Sequence, residues 1–325
     1  MNILRPGILK PLRNGIPYFW KDWLRKRTLR TISIEQMEVY TPMTTHPEID
    51  YSKVESLKET FKLKGIDLDK YLNSDHFKFK QGREKRSLQI LTNAMKLTNP
   101  LTKPLISIDC EAFETSSKKL TEIGIAILDP QIMTPGSIVP QIQTIHLVIL
   151  ENLRLHNHKQ VEGNKLKFIG GTSYVLTKKQ AKYVVGQIME KYITSRDGVL
   201  IGHNIKSDTK YSKQTGIKLD ETIHRIDTWE LIKLSRDSGN SLWAVLKQLE
   251  IPHAHLHNAA NDAYYCLIAA ISLCDPIIRL NKDLDFYLPA PPPLTEKYRP
   301  RNDEAKFILV KDEQKFLNDI LSTRG

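Results

Sequence analysis

The sequence predicts an α/β protein built on a central mixed β-sheet. Three β-favouring runs come in succession near residues 105–110, 122–128 and 144–150, and their succession favours an antiparallel meander. Helical and β-favouring segments then alternate to about residue 273, as expected for α/β units that flank the same sheet. The chain of 325 residues is longer than one such domain requires, so we expect further segments at both ends.

The segments that follow the meander carry cap and periodicity signals. Thr177 and Gln180 predict a capping box, and apolar side chains then recur at helical spacing as far as Tyr192. Further strands are predicted near residues 199–203 and 223–227, and helices near residues 205–213, 241–249 and 258–273. The expected fold is therefore a three-stranded antiparallel meander continued by α/β units, with helices on its faces.

Two carboxylates lie in the first β-favouring run, Ile106-Ser-Ile-Asp-Cys-Glu111. Because side chains alternate between the faces of a strand, Asp109 and Glu111 project from the same face. Carboxylate oxygens in such a pair suit Mg²⁺ or Mn²⁺, which borrow further ligands from water and substrate phosphate. The alternative interpretation is an ordinary solvated acidic pair at a strand end.

A third carboxylate follows the apolar run Val199-Leu-Ile-Gly-His-Asn204. Asp208 comes just after this predicted strand, where open α/β sheets usually place their ligands. On the alternative interpretation, Asn204 or Ser207 caps the next helix and Asp208 is a first-turn residue that the helix dipole favours.

A histidine and a fourth carboxylate open the last predicted helix, in His257-Asn-Ala-Ala-Asn-Asp262. Asn258 predicts the helix cap, which places Asp262 in the first turns. Histidine is the residue type that most readily exchanges a proton near neutral pH, and the carboxylate can hold a metal ion. The alternative for His257 is a surface or capping histidine, one of ten histidines in the chain.

Together these segments resemble the DEDDh family of 3′→5′ exonucleases, the DnaQ-like branch of the ribonuclease H-like fold. Thr121-Glu-Ile-Gly-Ile-Ala126 resembles the family's second strand, and Ile226-Asp-Thr-Trp229 resembles its Asp-Thr segment. The resemblance implies that two divalent ions, Mg²⁺ or Mn²⁺, are bound and that His257 is the general base. The implied metal ligands are Asp109, Glu111, Asp208 and Asp262.

Within the family, the sequence is most similar to fungal DEDDh proteins related to a yeast factor named "good for full DEAD-box protein activity". This resemblance is carried by Leu200-Ile-Gly-His-Asn204, by His257-Asn-Ala-Ala-Asn-Asp262 and by the long flanking regions. It implies a 3′→5′ exonuclease acting on single-stranded nucleic acid, RNA rather than DNA. Two alternatives stay open: a nucleic-acid-binding regulatory protein of the same fold with little turnover, and an enzyme that degrades very short oligonucleotides.

The charge balance favours a polyanionic partner. A formal net charge of +11 and a pI near 9.3 fit nucleic acid or an anionic membrane surface, and nucleic acid also fits the predicted site. Residues predicted to contact nucleic acid, or alternatively to form an ordinary solvated helix face, are Asn204, Lys206 and Lys210, with Lys213 nearby. The basic and aromatic run from Phe77 to Arg86 fits either a single-strand binding segment or a basic linker.

The three cysteines show no metal-ligand spacing and cannot all pair, which predicts a reducing compartment. Cys110 lies between the two carboxylates but on the opposite strand face, so we predict a core position for it. No apolar run reaches the roughly 18 to 20 residues that a membrane helix needs.

The first 34 residues are rich in Arg and Lys and contain one acid, Asp22. Such a composition is typical of a mitochondrial targeting peptide, and the alternatives are a nuclear signal around Arg25-Lys-Arg27 or a basic arm for nucleic acid in a cytoplasmic or nuclear protein. The predicted domains are a basic segment (1–34), a helical accessory segment (35–100), the exonuclease domain (101–280) and a Pro-containing C-terminal extension (281–325).

Overall fold

The computed structural model describes residues 38–39, 49–134, 139–158, 163–208, 211, 215, 222–288 and 308–322. The chain divides into two compact units. One unit comprises Met1–Thr44 and Ala305–Gly325, and the other comprises Thr45–Glu304.

The larger unit contains most of the helices and strands. Its helices are α1 (Tyr51–Lys64), α2 (Leu68–Leu72), α3 (Glu84–Thr98), α4 (Lys178–Met189), α5 (Ile205–Asp208), α6 (Thr228–Ile232), α7 (Leu242–Gln248), α8 (Ala259–Leu273) and α9 (Pro276–Asn281). Its strands are β2 (Leu105–Phe113), β3 (Ser116–Leu128), β4 (Ile142–Ile149), β5 (Ser173–Leu176), β6 (Val199–Gly202) and β7 (His224–Asp227).

The smaller unit contains a short parallel strand pair and a helix among its described residues. Strand β1 (Glu38–Val39) pairs with β8 (Ile308–Leu309), and helix α10 spans Glu313–Ser322. Within the predicted C-terminal extension, residues 308–309 are therefore extended and pair with β1, and a helix follows from Glu313.

The six strands of the larger unit form one mixed sheet in the order β5-β4-β3-β2-β6-β7. Strands β2, β3 and β4 are antiparallel neighbours, whereas β6 and β7 continue the sheet in parallel beyond β2. This arrangement confirms the predicted α/β class and the three-stranded meander. The sequence did not predict β5, which lies at the edge of the sheet parallel to β4 and is mostly exposed.

Each face of the sheet carries its own core. Apolar side chains of β2 and β3 such as Ile106 and Ile123 pack against Val185 of α4 on one face. On the other face, α8 packs on β2 and β3 together with helices from residues 51–98. Helix α8 is buried along most of its length, so its position relative to the sheet is fixed by packing.

The residues before and after the predicted exonuclease domain pack into the same unit as the sheet. Tyr71, from α2, contacts the buried ion pair of Arg279 and Asp285. Lys78 and Phe286 form a parallel β-bridge. The predicted boundaries near residues 100 and 280 therefore fall inside one compact unit, Thr45–Glu304.

Several local predictions agree with the structure. Thr177 and Gln180 form the predicted capping box, and Asn258 caps α8 as predicted. Helix α7 is capped by Ser241. The predicted helix over 205–213 is described only for Ile205–Asp208. Among the residues described, no helix combines the length and the apolarity that crossing a membrane would require.

Candidate metal centre

Strand β2 places Asp109 and Glu111 on the face that α8 covers. Both side chains are half-buried. Cys110, between them, is buried in the core on the opposite face, as predicted from strand alternation. Glu111 faces Glu122 of β3 in the strand register, so acidic side chains cluster on this part of the sheet.

Gly124 allows the first turn of α8 to approach the sheet closely. It is the register partner of Asp109 on β3. A Cβ atom at this position would lie 1.9 Å from the carbonyl oxygen of Ala259 and 2.3 Å from the amide nitrogen of Ala260. Because these neighbours are backbone atoms, any larger residue would displace the helix. The glycine of the Thr121–Ala126 motif therefore brings the start of α8 next to the carboxylates of β2.

Three potential ligand groups meet where α8 begins. One ligand atom from each of Glu111, His257 and Asp262 lies within 4.8 Å of the others. The Nδ1 atom of His257 is 3.8 Å from Oε1 of Glu111, and the backbone N–H of His257 donates to Oδ2 of Asp262 at 2.9 Å. The structure thus brings together Glu111 and Asp262, which are 151 positions apart in the sequence.

The chemistry of this cluster fits a hard divalent cation. Asp262 is 7% exposed, and its Oδ1 atom is buried without a hydrogen-bond donor among the described residues. A buried carboxylate oxygen beside a second carboxylate is costly unless a cation or a proton compensates it. The oxygen-rich donor set suits Mg²⁺ or Mn²⁺ better than a thiophilic metal.

The electrostatics of Asp262 agree with that interpretation. Burial, and then the nearby charge of Glu111, raise the pKa of the Asp262 carboxyl to about 8. A group with a raised pKa releases its proton when a cation binds, so occupation of such a site is favoured by rising pH.

The two other predicted ligands are located differently. Asp109 is on the same strand face as Glu111, one pleat earlier. The backbone of Asp208 ends α5, but its side chain lies outside the described residues. The structure therefore brings Glu111, His257 and Asp262 together with Asp109 beside them, and positions Asp208 by its backbone alone.

Asp227 holds the turn that leads to Asp208, a role the sequence did not reveal. Its two carboxylate oxygens accept hydrogen bonds from the backbone N–H groups of Asn204 at 2.8 Å and Ile205 at 2.9 Å. Asn204 adopts a left-handed conformation with φ of 62°, which an asparagine tolerates better than most residues. The Asp-Thr motif in the sequence was the available signal, since an acidic residue before a helix is a typical cap.

Glu122 is a second residue whose role was missed. This buried carboxylate accepts a hydrogen bond from Nε2 of His146 at 3.0 Å and from the backbone N–H of Ala259 at 3.4 Å. His146 also contacts the hydroxyl of Ser173 through Nδ1 at 2.8 Å. Glu122 therefore binds the N-terminus of α8, where a negative charge is favoured by the helix dipole.

Of the predicted nucleic-acid contacts, Lys206 is exposed at the start of α5 and Asn204 is half-buried in the turn before it. Lys210 and Lys213 lie outside the described residues. In the basic and aromatic run, Phe79 is buried and stacks on Phe77 with ring centroids 5.4 Å apart. Because both rings pack against the core, they do not offer a surface on which bases could stack, and this part of the run is not a linker.

Residues 104–273 match the family model described as "DNA polymerase III subunit epsilon-like, C-terminal domain" of the DEDDh type. The match covers more than half of the chain and includes β2, α5 and α8. The chain belongs to the DEDDh family. Membership of this exonuclease-like family confirms the resemblance inferred from the motifs and the ribonuclease H-like interpretation of the sheet.

Named relatives in this comparison come from two yeasts. "Good for full DBP5 activity protein 2" of Saccharomyces cerevisiae is 34% identical over 209 residues, 56% of this chain and 37% of the relative. "Uncharacterized nucleolar protein C2C4.08" of Schizosaccharomyces pombe is 26% identical over 197 residues, 57% of this chain and 76% of the relative. The DEDDh chain described here thus spans well under half the length of the first relative.

Among solved structures, exonuclease I aligns with a TM-score of 0.34 and 10% identity. The alignment covers 54% of this chain and 42% of exonuclease I. Similarity at this level adds nothing to the family assignment.

Proposed function

We propose that this DEDDh protein is a divalent-metal-dependent 3′→5′ exonuclease that hydrolyses phosphodiester bonds in single-stranded nucleic acid, RNA in preference to DNA. The observation that carries the proposal is the convergence of Glu111, His257 and Asp262 where α8 meets β2. Membership of the DEDDh family supports nuclease chemistry at this cluster. The preference for RNA rests on the resemblance to the fungal branch.

The acidic side chains of the cluster would hold Mg²⁺ or Mn²⁺. Asp109, Glu111 and Asp262 are the proposed ligands on β2 and α8, with Asp208 as the fourth. Bound divalent ions would supply an activated water and neutralise charge on the scissile phosphate. The buried Oδ1 of Asp262 offers an acceptor site that no described hydrogen-bond donor occupies.

His257 is proposed as the general base. Its side chain is 45% exposed, so the ring reaches solvent on one side while Glu111 lies 3.8 Å away on another. That position allows the imidazole to take a proton from the attacking water and release it to bulk solvent. We expect a His257→Ala variant to keep low activity that increases as the pH is raised, since hydroxide can then replace the missing base.

The direct test is digestion of 5′-labelled single-stranded RNA and DNA of matched sequence, with Mn²⁺ or Mg²⁺. An Asp109→Ala, Glu111→Ala double variant serves as the inactive form, and Glu59→Ala, at an exposed acid of α1, is the matched control. We expect ladders that shorten from the 3′ end with the wild type and the control, and none with the double variant. Equal cleavage by the double variant would refute the assignment.

The second candidate function is a nucleic-acid-binding regulatory protein with little turnover. The observation that favours it is the name of one relative, which refers to the activity of another protein, DBP5. Retained binding of single-stranded RNA without cleavage in the digestion assay would support this candidate instead.

For localisation, mitochondrial import remains a proposal based on the basic first 34 residues, which lie outside the described residues. The alternatives are cytoplasmic or nuclear residence, and the word "nucleolar" in the name of one relative favours the latter. Imaging a reporter fused to residues 1–34 tests the proposal: mitochondrial signal supports it, and nuclear or diffuse signal refutes it.

A further inference from the structure

Between β4 and β5, a segment that we call the strap, residues 163–171, lies against the start of α8. The side-chain amide of Asn258, the cap of α8, donates to the carbonyl oxygens of Asn164 at 3.1 Å and Lys165 at 3.2 Å. In the reverse direction, the amide of Asn164 donates to the carbonyl oxygen of Leu256 at 2.6 Å. The strap and the residue before His257 are therefore joined by hydrogen bonds in both directions.

Asn261 makes a second connection one turn further along. Its Nδ2 atom donates to the carbonyl oxygens of Lys167 at 3.1 Å and His255 at 3.0 Å, and its Oδ1 accepts from the backbone N–H of Ile169 at 3.1 Å. One side chain thus connects the strap, the segment that precedes His257 and the helix that carries Asp262.

The strap is also anchored on its far side. Lys165 is 4% exposed, and its ammonium donates to the carbonyl oxygens of Leu155 at 2.5 Å and Leu153 at 3.3 Å. Asn164, Asn258 and Asn261 are at most 1% exposed. Hydrogen bonds between fully buried groups do not exchange readily with water, so these contacts hold the strap in one position.

The segment that the strap holds has an unfavourable backbone conformation. His255 and His257 have positive φ angles of 54° and 65°. Residues other than glycine adopt this region only when their surroundings fix them there. With 45% of the His257 side chain exposed, packing alone does not fix the ring, so its direction depends on the backbone beneath it.

We propose that the strap is a positioning element for His257, acting through Asn164, Asn258 and Asn261, and that it sets the rate of the chemical step rather than the affinity for nucleic acid. The proposal rests on the function proposed above. None of the three asparagines is assigned contact with substrate or metal. Asn164 and Asn261 bond the backbone of residues 255–256 directly, and Asn258 bonds the strap to the start of α8.

The proposal is tested with two variants that remove strap contacts from opposite sides. Asn261→Ala removes contacts from the helix side, and Asn164→Ala removes one from the strap side. Asn93→Ala, at an exposed position of α3, is the matched control. Hydrogen–deuterium exchange of the full-length protein reports on the backbone without requiring activity, and kcat, KM and Mn²⁺ affinity are then measured on the same preparations.

We expect both strap variants to exchange faster in residues 163–169 and in residues 253–257. For Asn164→Ala, the second of these segments does not contain the mutated residue. We also expect kcat to fall by about 10- to 100-fold, since a small displacement of a catalytic group has an effect of that size. KM and Mn²⁺ affinity should change by less than about threefold, because the phosphate-facing carboxylates are retained. The Asn93→Ala control should behave as wild type in each assay.

Exchange that rises only around the mutated residue would overturn the coupling between strap and histidine segment. A matched rise in KM with unchanged kcat would overturn the positioning role, as would failure of both variants to fold. If the wild type shows no nuclease activity, the proposed function fails, whereas the exchange data still decide whether the strap fixes the His257 backbone.

Discussion

Two regions of the larger unit bury a carboxylate, and the pKa values of the two carboxylates are shifted in opposite directions. Where residues of the accessory segment 35–100 pack against the end of the larger unit, Asp285 is fully buried among Arg279, Tyr71 and His76, each within hydrogen-bond distance. Burial alone would raise the pKa of Asp285, but the charge of Arg279 and the hydrogen bonds hold it below its usual value.

At the candidate metal centre, the same kind of group has the opposite shift. Burial and the charge of Glu111 raise the pKa of Asp262, and no arginine or lysine is among the causes of that shift. The comparison teaches that burial does not distinguish a structural carboxylate from a functional one. The distinction lies in whether the protein itself supplies the compensating charge.

The largest expected effect is on activity, from neutralising a carboxylate of the metal centre. We expect Glu111→Gln to lower kcat/KM by about a thousandfold or more, since charge stabilisation by a bound metal ion is worth several kcal/mol. The midpoint of thermal unfolding should not fall, because the substitution removes repulsion with Asp262. The digestion assay and a melting curve check both statements, and a variant with near wild-type turnover would remove Glu111 from the site.

The second effect should fall on stability, from removing the charge that compensates Asp285. We expect Arg279→Met to lower the free energy of unfolding by about 3–5 kcal/mol, because a buried carboxylate would lose its partner. Urea denaturation measures the change. Lys53→Met is the control, since it breaks an exposed ion pair with Asp75 and should leave stability essentially unchanged. Equal free energies of unfolding for the two variants would show that Arg279 does not stabilise the fold by compensating the charge of Asp285.

The candidate metal centre could be predicted from the sequence better than the buried ion pair of Arg279 and Asp285. Strand alternation placed Asp109 and Glu111 on one face, and the cap signal at Asn258 placed Asp262 in the first turn of α8. By contrast, nothing in the local pattern around Arg279 indicated a buried ion pair. Its ion-pair partner Asp285 is six residues further along, but Tyr71, which helps to bury the pair, is 208 residues away, and a charged residue on a short helix ordinarily predicts a solvated face.

The strap shows the same limit at the site itself. Asn164 and Asn258 are 94 residues apart, and both read locally as polar loop or cap residues. Their partners are backbone carbonyl groups, which any sequence supplies, so no complementary side chain was present to predict the contact. Edge strand β5 was missed for a related reason: it is exposed and lacks the alternation of a half-buried strand.

A third test concerns the approach of α8 to the sheet. We expect Gly124→Ala to lower the free energy of unfolding by about 1–3 kcal/mol, because the new methyl group would overlap the backbone of Ala259. The variant should lose much of its nuclease activity even under conditions where it stays folded, since the same displacement moves Asp262 and His257 away from β2. Gly186→Ala, in α4 where a Cβ atom meets nothing within 4 Å, is the matched control. Unchanged activity of Gly124→Ala would mean that the close approach is not needed by the site.

The last effect appears only when the pH is varied: the dependence of stability on pH should separate the two carboxylates. The pKa of Asp262 is raised from 3.8 to about 8 in the folded protein, so between these values the folded state holds a proton that the unfolded state has released. The stability contributed by this proton is fully present below the unfolded pKa and is lost as the pH rises through the folded pKa.

Measured with a chelator present, the stability of the wild type should therefore fall relative to Asp262→Asn between about pH 4 and 8, by at most about 1.4 kcal/mol per pH unit. Asp285 has the opposite shift, so its contribution is present above its unfolded pKa and is lost only in acid. Saturating Mn²⁺ should reduce the difference between wild type and variant, because a cation compensates the ionised carboxylates as the proton does. If the free energies of unfolding of the wild type and Asp262→Asn change in parallel across this range, the protein itself compensates the charge of Asp262. Asp262 and Asp285 would then not differ in the way described above.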